Sequence, residues 1–151
     1  MGKRTPVSAE AAAKYDADVA LAQRFDDLFE QARSAEQALR EAQASRASLA
    51  EQHWAGKRLD SALTDVMRAA FAAQRAEIGP RGHDDRIYRR KAMATAPVRA
   101  WTMEAERLLT LRESHRLTGI VRLPGHPGGL PDATASPAGT EARPQPASHR
   151  S

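Results

Sequence analysis

Residues 21–49 read LAQRFDDLFEQARSAEQALREAQASRASL, and this stretch decides the fold class. Its apolar side chains recur at alternating spacings of four and three residues, which is the heptad pattern of a helix with one buried seam. The nine seam positions, of which eight are apolar, are Leu21, Phe25, Leu28, Ala32, Ala35, Leu39, Ala42, Arg46 and Leu49. Residues 8–55 contain no Gly or Pro and are rich in strong helix formers. We therefore predict one helix over 8–55, with Ser8 as its N-cap.

A helix of that length needs something to pack against. At 1.5 Å per residue it would extend ~70 Å, more than twice the ~30 Å width of a small domain. It must overhang the domain, bend near residues 44–48 or pair with another chain. The seam therefore has two interpretations: an intrachain hairpin, favoured because few charges flank the seam, or an intermolecular coiled coil. Its large members are the candidate partner-binding residues: Leu21, Phe25, Leu28, Leu39 and Leu49.

The rest of the helical region is divided by Gly and Pro. An apolar stripe predicts a second helix over 58–78, which the sequence Gly-Pro-Arg-Gly at 79–82 ends. A basic linker over 79–96, with a short helix near 84–95, leads to a third helix over 97–118. Pro97 suits its first turn, and Gly119 is a natural stop. We expect the two tryptophans, Trp54 and Trp101, to be anchors of the core or of an interface rather than ligand platforms. The predicted fold is all-α, a long helical hairpin or three-helix arrangement over 8–119.

The two ends of the chain differ from this helical domain. Residues 1–7 form a short basic segment, which we expect to be flexible. Residues 123–151 hold six of the nine prolines, four of the nine glycines and no aromatic residue. Such a segment buries too little apolar surface to offset its ordering entropy, so a disordered tail is predicted over 120–151.

Composition limits the functional classes. Alanine supplies 31 of the 151 residues, and arginine outnumbers lysine 19 to 4, a bias typical of GC-rich bacterial coding. Cysteine is absent, which removes thiol nucleophiles, disulfides and cysteine-based zinc sites. No apolar run approaches the ~20 residues that a membrane helix needs, and no secretory signal is visible. We expect a cytoplasmic protein without a membrane partner.

Charge is distributed unevenly. Residues 8–79 carry 9 basic and 12 acidic side chains, giving −3, whereas residues 80–122 carry 10 and 5, giving +5. The candidate nucleic-acid-binding residues are Arg81, Arg86, Tyr88, Arg89, Arg90 and Lys91, a set of cations that can pair with phosphates and an aromatic ring that can stack on a base. In a helix, Arg86, Arg89 and Arg90 would share one face. The alternative is a solvated face, or one that pairs with Asp26, Asp27 and Glu30 of the first helix.

No motif places a nucleophile beside a base or surrounds a phosphate with glycines. His53, His83, Asp84 and Asp132 loosely resemble the ligand spacing of HD-type metal phosphohydrolases, but His83 and Asp84 follow a Gly-Pro loop and Asp132 lies in the tail. Residues 111–120 resemble the first helix of a MerR-type helix-turn-helix, yet Pro and Gly stand where the recognition helix should follow. We predict no catalytic residues, no metal and no cofactor.

These observations favour a small non-enzymatic helical accessory or regulatory protein that contacts DNA or RNA non-specifically through its basic cluster. The alternative is a scaffold or adaptor whose heptad seam binds a helical protein or a second copy of the chain, with no nucleic acid involved.

Overall fold

A computed structural model describes residues 6–119 and Leu123, and within them every regular element is a helix. The all-α prediction is therefore confirmed. In chain order the helices are α1 (Ala9–Gln23), α2 (Phe25–Ala44), α3 (Leu49–Ile78), α4 (Arg81–Asp84), α5 (Arg86–Ala92) and α6 (Ala96–Thr118). The predicted tail over 120–151, apart from Leu123, and most of the predicted N-terminal segment lie outside the described residues.

The helix predicted over 8–55 is wrong in extent, because the chain interrupts it twice. At Arg24 the interruption is slight: the backbone stays right-handed and its amide donates to the carbonyls of Leu21 and Ala22. At residues 45–48 the chain reverses. Arg46 adopts a left-handed φ of 54°, and Ser48 and Glu51 form a reciprocal capping box that starts α3.

The second long helix therefore begins at Leu49 rather than at 58, and it is 30 residues long. Gly56 lies inside it without breaking it. The loop at 45–48 resolves the length problem of the N-terminal helix by turning it into a hairpin. The bend expected near residues 44–48 is thus a full chain reversal.

Helix α3 lies between the other long helices and runs antiparallel to both. It packs against α1, α2 and α6. The core among these helices is a single cluster that consists of Phe25, Leu28, Phe29, Ala32, Leu39, Leu59, Leu63, Val66, Ala69, Ala70, Ala105 and Leu108. Several members are alanines with no exposed surface, which allows the helix backbones to approach closely.

The heptad seam faces α3 of the same chain. Phe25, Leu28 and Leu39 are buried, and Leu21 packs against the core from its edge. Leu49 departs from the seam because the chain has already reversed there, and its side chain is 85% exposed. The structure thus shows an intrachain hairpin.

The tryptophans have different environments. Trp101 packs against the core and meets the ring of Phe25 edge-on, with the ring centroids 5.1 Å apart. Trp54, in contrast, lies on the outer face of α3 and is 62% exposed. It is therefore not a core residue of this chain.

Gly79 ends α3 and Gly119 ends α6, as predicted, and their φ angles are 93° and 69°. These are backbone conformations that residues with a Cβ rarely adopt. Between them, the basic linker over 79–96 is itself mostly helical, since it contains α4 and α5. Helix α5 is the short helix expected near 84–95, and Pro97 lies in the first turn of α6.

Leu63→Ala tests whether α3 carries the core. Leu63 has no exposed surface, so the truncation should lower the free energy of unfolding by about 2–5 kcal/mol. Leu117→Ala is the matched control, because Leu117 is 86% exposed on α6 and its truncation should cost less than about 0.5 kcal/mol. Urea unfolding followed by circular dichroism measures both. Equal losses would contradict the central position of α3.

Candidate nucleic-acid interface

Helix α5 presents most of the predicted basic cluster to solvent. Arg86, Arg89, Arg90 and Lys91 are all exposed. Among the described residues, none of these four side chains has a hydrogen-bond or ion-pair partner. Four positive charges are thus concentrated on a seven-residue helix, and the acid nearest to them in sequence is the helix's own N-cap, Asp85.

The cluster is divided between a groove and a small cavity beside α5. Arg86, Arg90 and Lys91 line an open groove of about 1110 Å³, together with Arg81, two carboxylates and three apolar residues. The carboxylates are Asp84 and Asp85, and the apolar residues are Pro6, Val7 and Ile87. Arg89 instead lines a small cavity against Gly82 and His83. Because α5 is helical over Arg86–Ala92, Arg86, Arg89 and Arg90 stand at the i, i+3 and i+4 positions of one face. Only Arg86 and Arg90 of these three line the groove.

Tyr88 is already stacked. The guanidinium of Arg81 lies 4.6 Å from the centre of its ring, and the same guanidinium is 3.4 Å from Asp85. This cation–π contact covers one face of the phenol ring. A nucleic-acid base therefore has at most the opposite face of Tyr88 on which to stack.

Asp85 starts α5 and so positions the cluster. Its carboxylate accepts hydrogen bonds from the backbone amides of Ile87 and Tyr88, at 3.0 and 2.9 Å. The Tyr88 amide, followed by the Ile87 amide and Arg81, holds the pKa of Asp85 below its ordinary value. The carboxylate is thus ionised and engaged with its own helix.

Asp84 ties the linker to the start of α1. Its two carboxylate oxygens accept from the amide and the hydroxyl of Ser8, each at 2.8 Å. These hydrogen bonds, the amide first, lower the pKa of Asp84. The Ser8 hydroxyl also caps α1 by accepting from the Ala11 amide, as the sequence predicted.

A nearly buried acid, Asp18, anchors the linker from the other side. It accepts from Arg75 of α3 at 2.8–3.1 Å and lies 3.0 Å from Nε2 of His83 in α4. One carboxylate thus joins α1, α3 and α4. We refer to Asp18, Arg75 and His83 as the Asp18 clasp.

The acids predicted to pair with the basic cluster are Asp26, Asp27 and Glu30. Glu30, one of the three expected partners of the cluster, lies 3.9 Å from Arg33 on its own helix. The acid that contacts the linker is Asp18. Its position two turns into a predicted helix is the only information that the sequence gives about it. Its two partners lie 57 and 65 residues away, a separation that no local pattern reports.

The two motif resemblances find no support in the geometry. His83 and Asp84 bond to different partners, Asp18 and Ser8, and Asp132 lies outside the described residues. No group of three or more His, Cys, Asp or Glu side chains within the described ranges could hold a metal ion. In residues 111–120, His115 is buried and bonds through Nε2 to the Gly56 carbonyl at 2.9 Å, which is a packing role.

Comparison with known proteins does not assign this site. No family model matches the chain, and neither the curated proteins nor the solved structures provide a match. Over the residues that the structure describes, no helix combines the length and apolar character needed to cross a bilayer. A functional proposal therefore rests on the geometry of the linker.

Asp18→Asn tests the Asp18 clasp. The substitution keeps the shape of the side chain but puts a neutral amide in place of the carboxylate that Arg75 and His83 share. We expect the free energy of unfolding to fall by about 1–3 kcal/mol. Asp16→Asn, on the exposed side of α1, should change it by less than about 0.5 kcal/mol. If the two variants unfold at the same urea concentration, the clasp does not stabilise the fold.

Asp85→Ala tests whether the cap holds α5 together. Loss of the carboxylate should speed hydrogen exchange at the amides of Ile87 and Tyr88, while Asp85→Asn should largely preserve protection because Asn is also a good N-cap. Because folding lowers the pKa of Asp85, its ionised cap is fully present above the ordinary value of 3.8 and is lost as the pH falls below it. Unchanged protection in the alanine variant would contradict this role.

Proposed function

We propose that this protein is a non-enzymatic accessory factor that binds the phosphate backbone of nucleic acid through the groove beside α5. The observation that carries the proposal is the set of exposed, unpartnered cations at this groove: Arg86, Arg90 and Lys91. Phosphates are the ligands that such cations bind in nucleic acids, with release of condensed counterions.

The predicted binding is not sequence-specific. Phosphate contacts position a protein on nucleic acid but do not read bases. The one aromatic ring in the cluster, Tyr88, is half covered by Arg81. Both features favour recognition of charge over recognition of a base sequence.

A purely structural role accounts for only part of the cluster. Arg89, Arg90 and Lys91 occupy the last turn of α5, where cations stabilise the negative end of the helix dipole. Arg86 occupies the first turn, where the dipole disfavours a cation. Its position is therefore not explained by helix stability and supports a ligand in the groove.

The scaffold alternative is less well supported. Four of its five seam residues pack inside the chain, so a partner helix would have to displace α3 from Phe25, Leu28 and Leu39. The cations of α5, in contrast, need no rearrangement to be reached.

The proposal predicts salt-dependent binding to labelled duplex and single-stranded DNA, measured by fluorescence anisotropy. Phosphate contacts from the three cations that α5 contributes to the groove and from Arg81, the fourth cation there, should give a slope near −4 for log K against log salt on duplex DNA. The triple variant Arg86→Ala, Arg90→Ala, Lys91→Ala should weaken binding and bring this slope close to −1.

The matched control removes the same charge elsewhere. Arg24→Ala, Arg33→Ala, Arg68→Ala takes three exposed cations from α2, α3 and the turn between α1 and α2. This variant should keep most of the wild-type slope. An equal loss in both variants would mean that net charge, not the groove, drives binding, and absence of binding at low salt would overturn the proposed function.

A further inference from the structure

Trp54 lies on the outer face of α3, near the end of the bundle opposite to α5. Its side chain is 62% exposed, and Lys57 lies 5.5 Å from its ring on one flank. Tryptophan is the residue type most enriched at the energetic centres of protein interfaces. An exposed indole on a regular helix is therefore a candidate for a docking surface.

The surface beside Trp54 is shaped to receive a large side chain. A groove of about 330 Å³ runs between α2 and α3, and small side chains form much of its lining: Ala35 and Ala38 from α2 and Ala55 from α3. Glu51, Arg58 and Trp54 complete it. Because the alanine methyl groups are short, the groove has room for an aromatic ring from outside.

The charges around the groove are self-complementary. Glu51 precedes Trp54 by three residues and Arg58 follows it by four, so the two residues are separated by about 10.5 Å of rise along α3, with the indole between them. Within the described part of the chain, Arg58 has no hydrogen-bond or ion-pair partner. Glu51 uses one oxygen to accept from the Ser48 amide at 3.3 Å, which leaves the other oxygen available.

We propose that a second copy of this chain docks on this surface, with the two α3 helices antiparallel about a twofold axis near Trp54 and Ala55. Such an axis brings Glu51 of each copy beside Arg58 of the other, so one arrangement forms two equivalent ion pairs. It also brings each indole over the alanine groove of the opposite copy. The same patch on each copy thus forms both halves of the interface, as an isologous dimer requires.

This partner fits the patch better than an unrelated protein does. Glu51 and Arg58 flank the indole with opposite charges, so an antiparallel second copy offers each of them a partner of the opposite sign. The patch has a single large aromatic residue at its centre, so we expect the dimer to be weak. This inference does not depend on nucleic-acid binding, because the two surfaces lie at opposite ends of α3.

Sedimentation velocity over a series of protein concentrations tests the dimer. The full chain should pass from monomer to dimer as the concentration rises through the micromolar range. Trp54→Ala should remain monomeric, whereas Met103→Ala, which truncates an exposed apolar side chain on α6, should associate like the wild type. A wild-type chain that stays monomeric at millimolar concentration, or a Trp54→Ala variant that associates normally, would overturn the proposal.

Charge reversal tests the geometry. Glu51→Arg and Arg58→Glu each place like charges opposite one another, and each variant alone should dimerise at least about tenfold more weakly than wild type. Mixed in equal amounts, the two variants should associate more tightly than either alone, because each Arg then faces a Glu. This recovery also shows that both variants are folded. Failure of the mixture to associate would contradict the antiparallel arrangement.

Discussion

The fold depends on the burial of α3, which packs against α1, α2 and α6. Buried alanines on α2, α3 and α6 keep these helices close, and Phe25 of α2 meets Trp101 of α6 directly. A hairpin of α2 and α3 alone would leave the stripe toward α6 exposed, so the third helix completes the core. The linker that connects α3 to α6 must then cross the end of the bundle. Its two short helices, α4 and α5, are the consequence of that crossing.

The linker is held by polar contacts, whereas the long helices are held by apolar ones. Asp18 accepts from Arg75 and meets His83, and Asp84 accepts twice from Ser8, so α4 is attached to both α1 and α3. The acids near the linker are therefore engaged in positioning it or, for Asp85, in capping α5. The cations of α5 therefore have no ion-pair partner among the described residues, although two carboxylates line the same groove. A rigidly placed patch of this kind loses less conformational freedom on binding than a flexible basic tail.

The features that follow from local chemistry could be predicted from the sequence. The all-α class, the caps at Ser8 and Gly119, and the buried seam residues all depend on patterns within a few residues. The length of the first helix could not be predicted, because good helix formers continue through residues 45–48 and the heptad spacing reaches Leu49 by coincidence. The capping box of Ser48 and Glu51 was the available signal for the break. The role of Asp18 depends on contacts across the fold, and no local pattern contains them.

The proposed dimer has a geometric consequence for the proposed nucleic-acid interface. From Trp54 to the end of α3 at Ile78 is 24 residues, or about 36 Å of helix. An antiparallel pair of α3 helices centred near Trp54 would therefore place its two basic linkers ~70 Å apart. Duplex DNA rises 3.4 Å per base pair, so this separation corresponds to about 20 base pairs. Each linker alone makes few phosphate contacts, but two linkers held at that spacing gain an effective-concentration advantage only on duplexes long enough to reach both. The weak dimer and the weak, non-specific interface would then reinforce each other on long nucleic acid and act independently on short fragments.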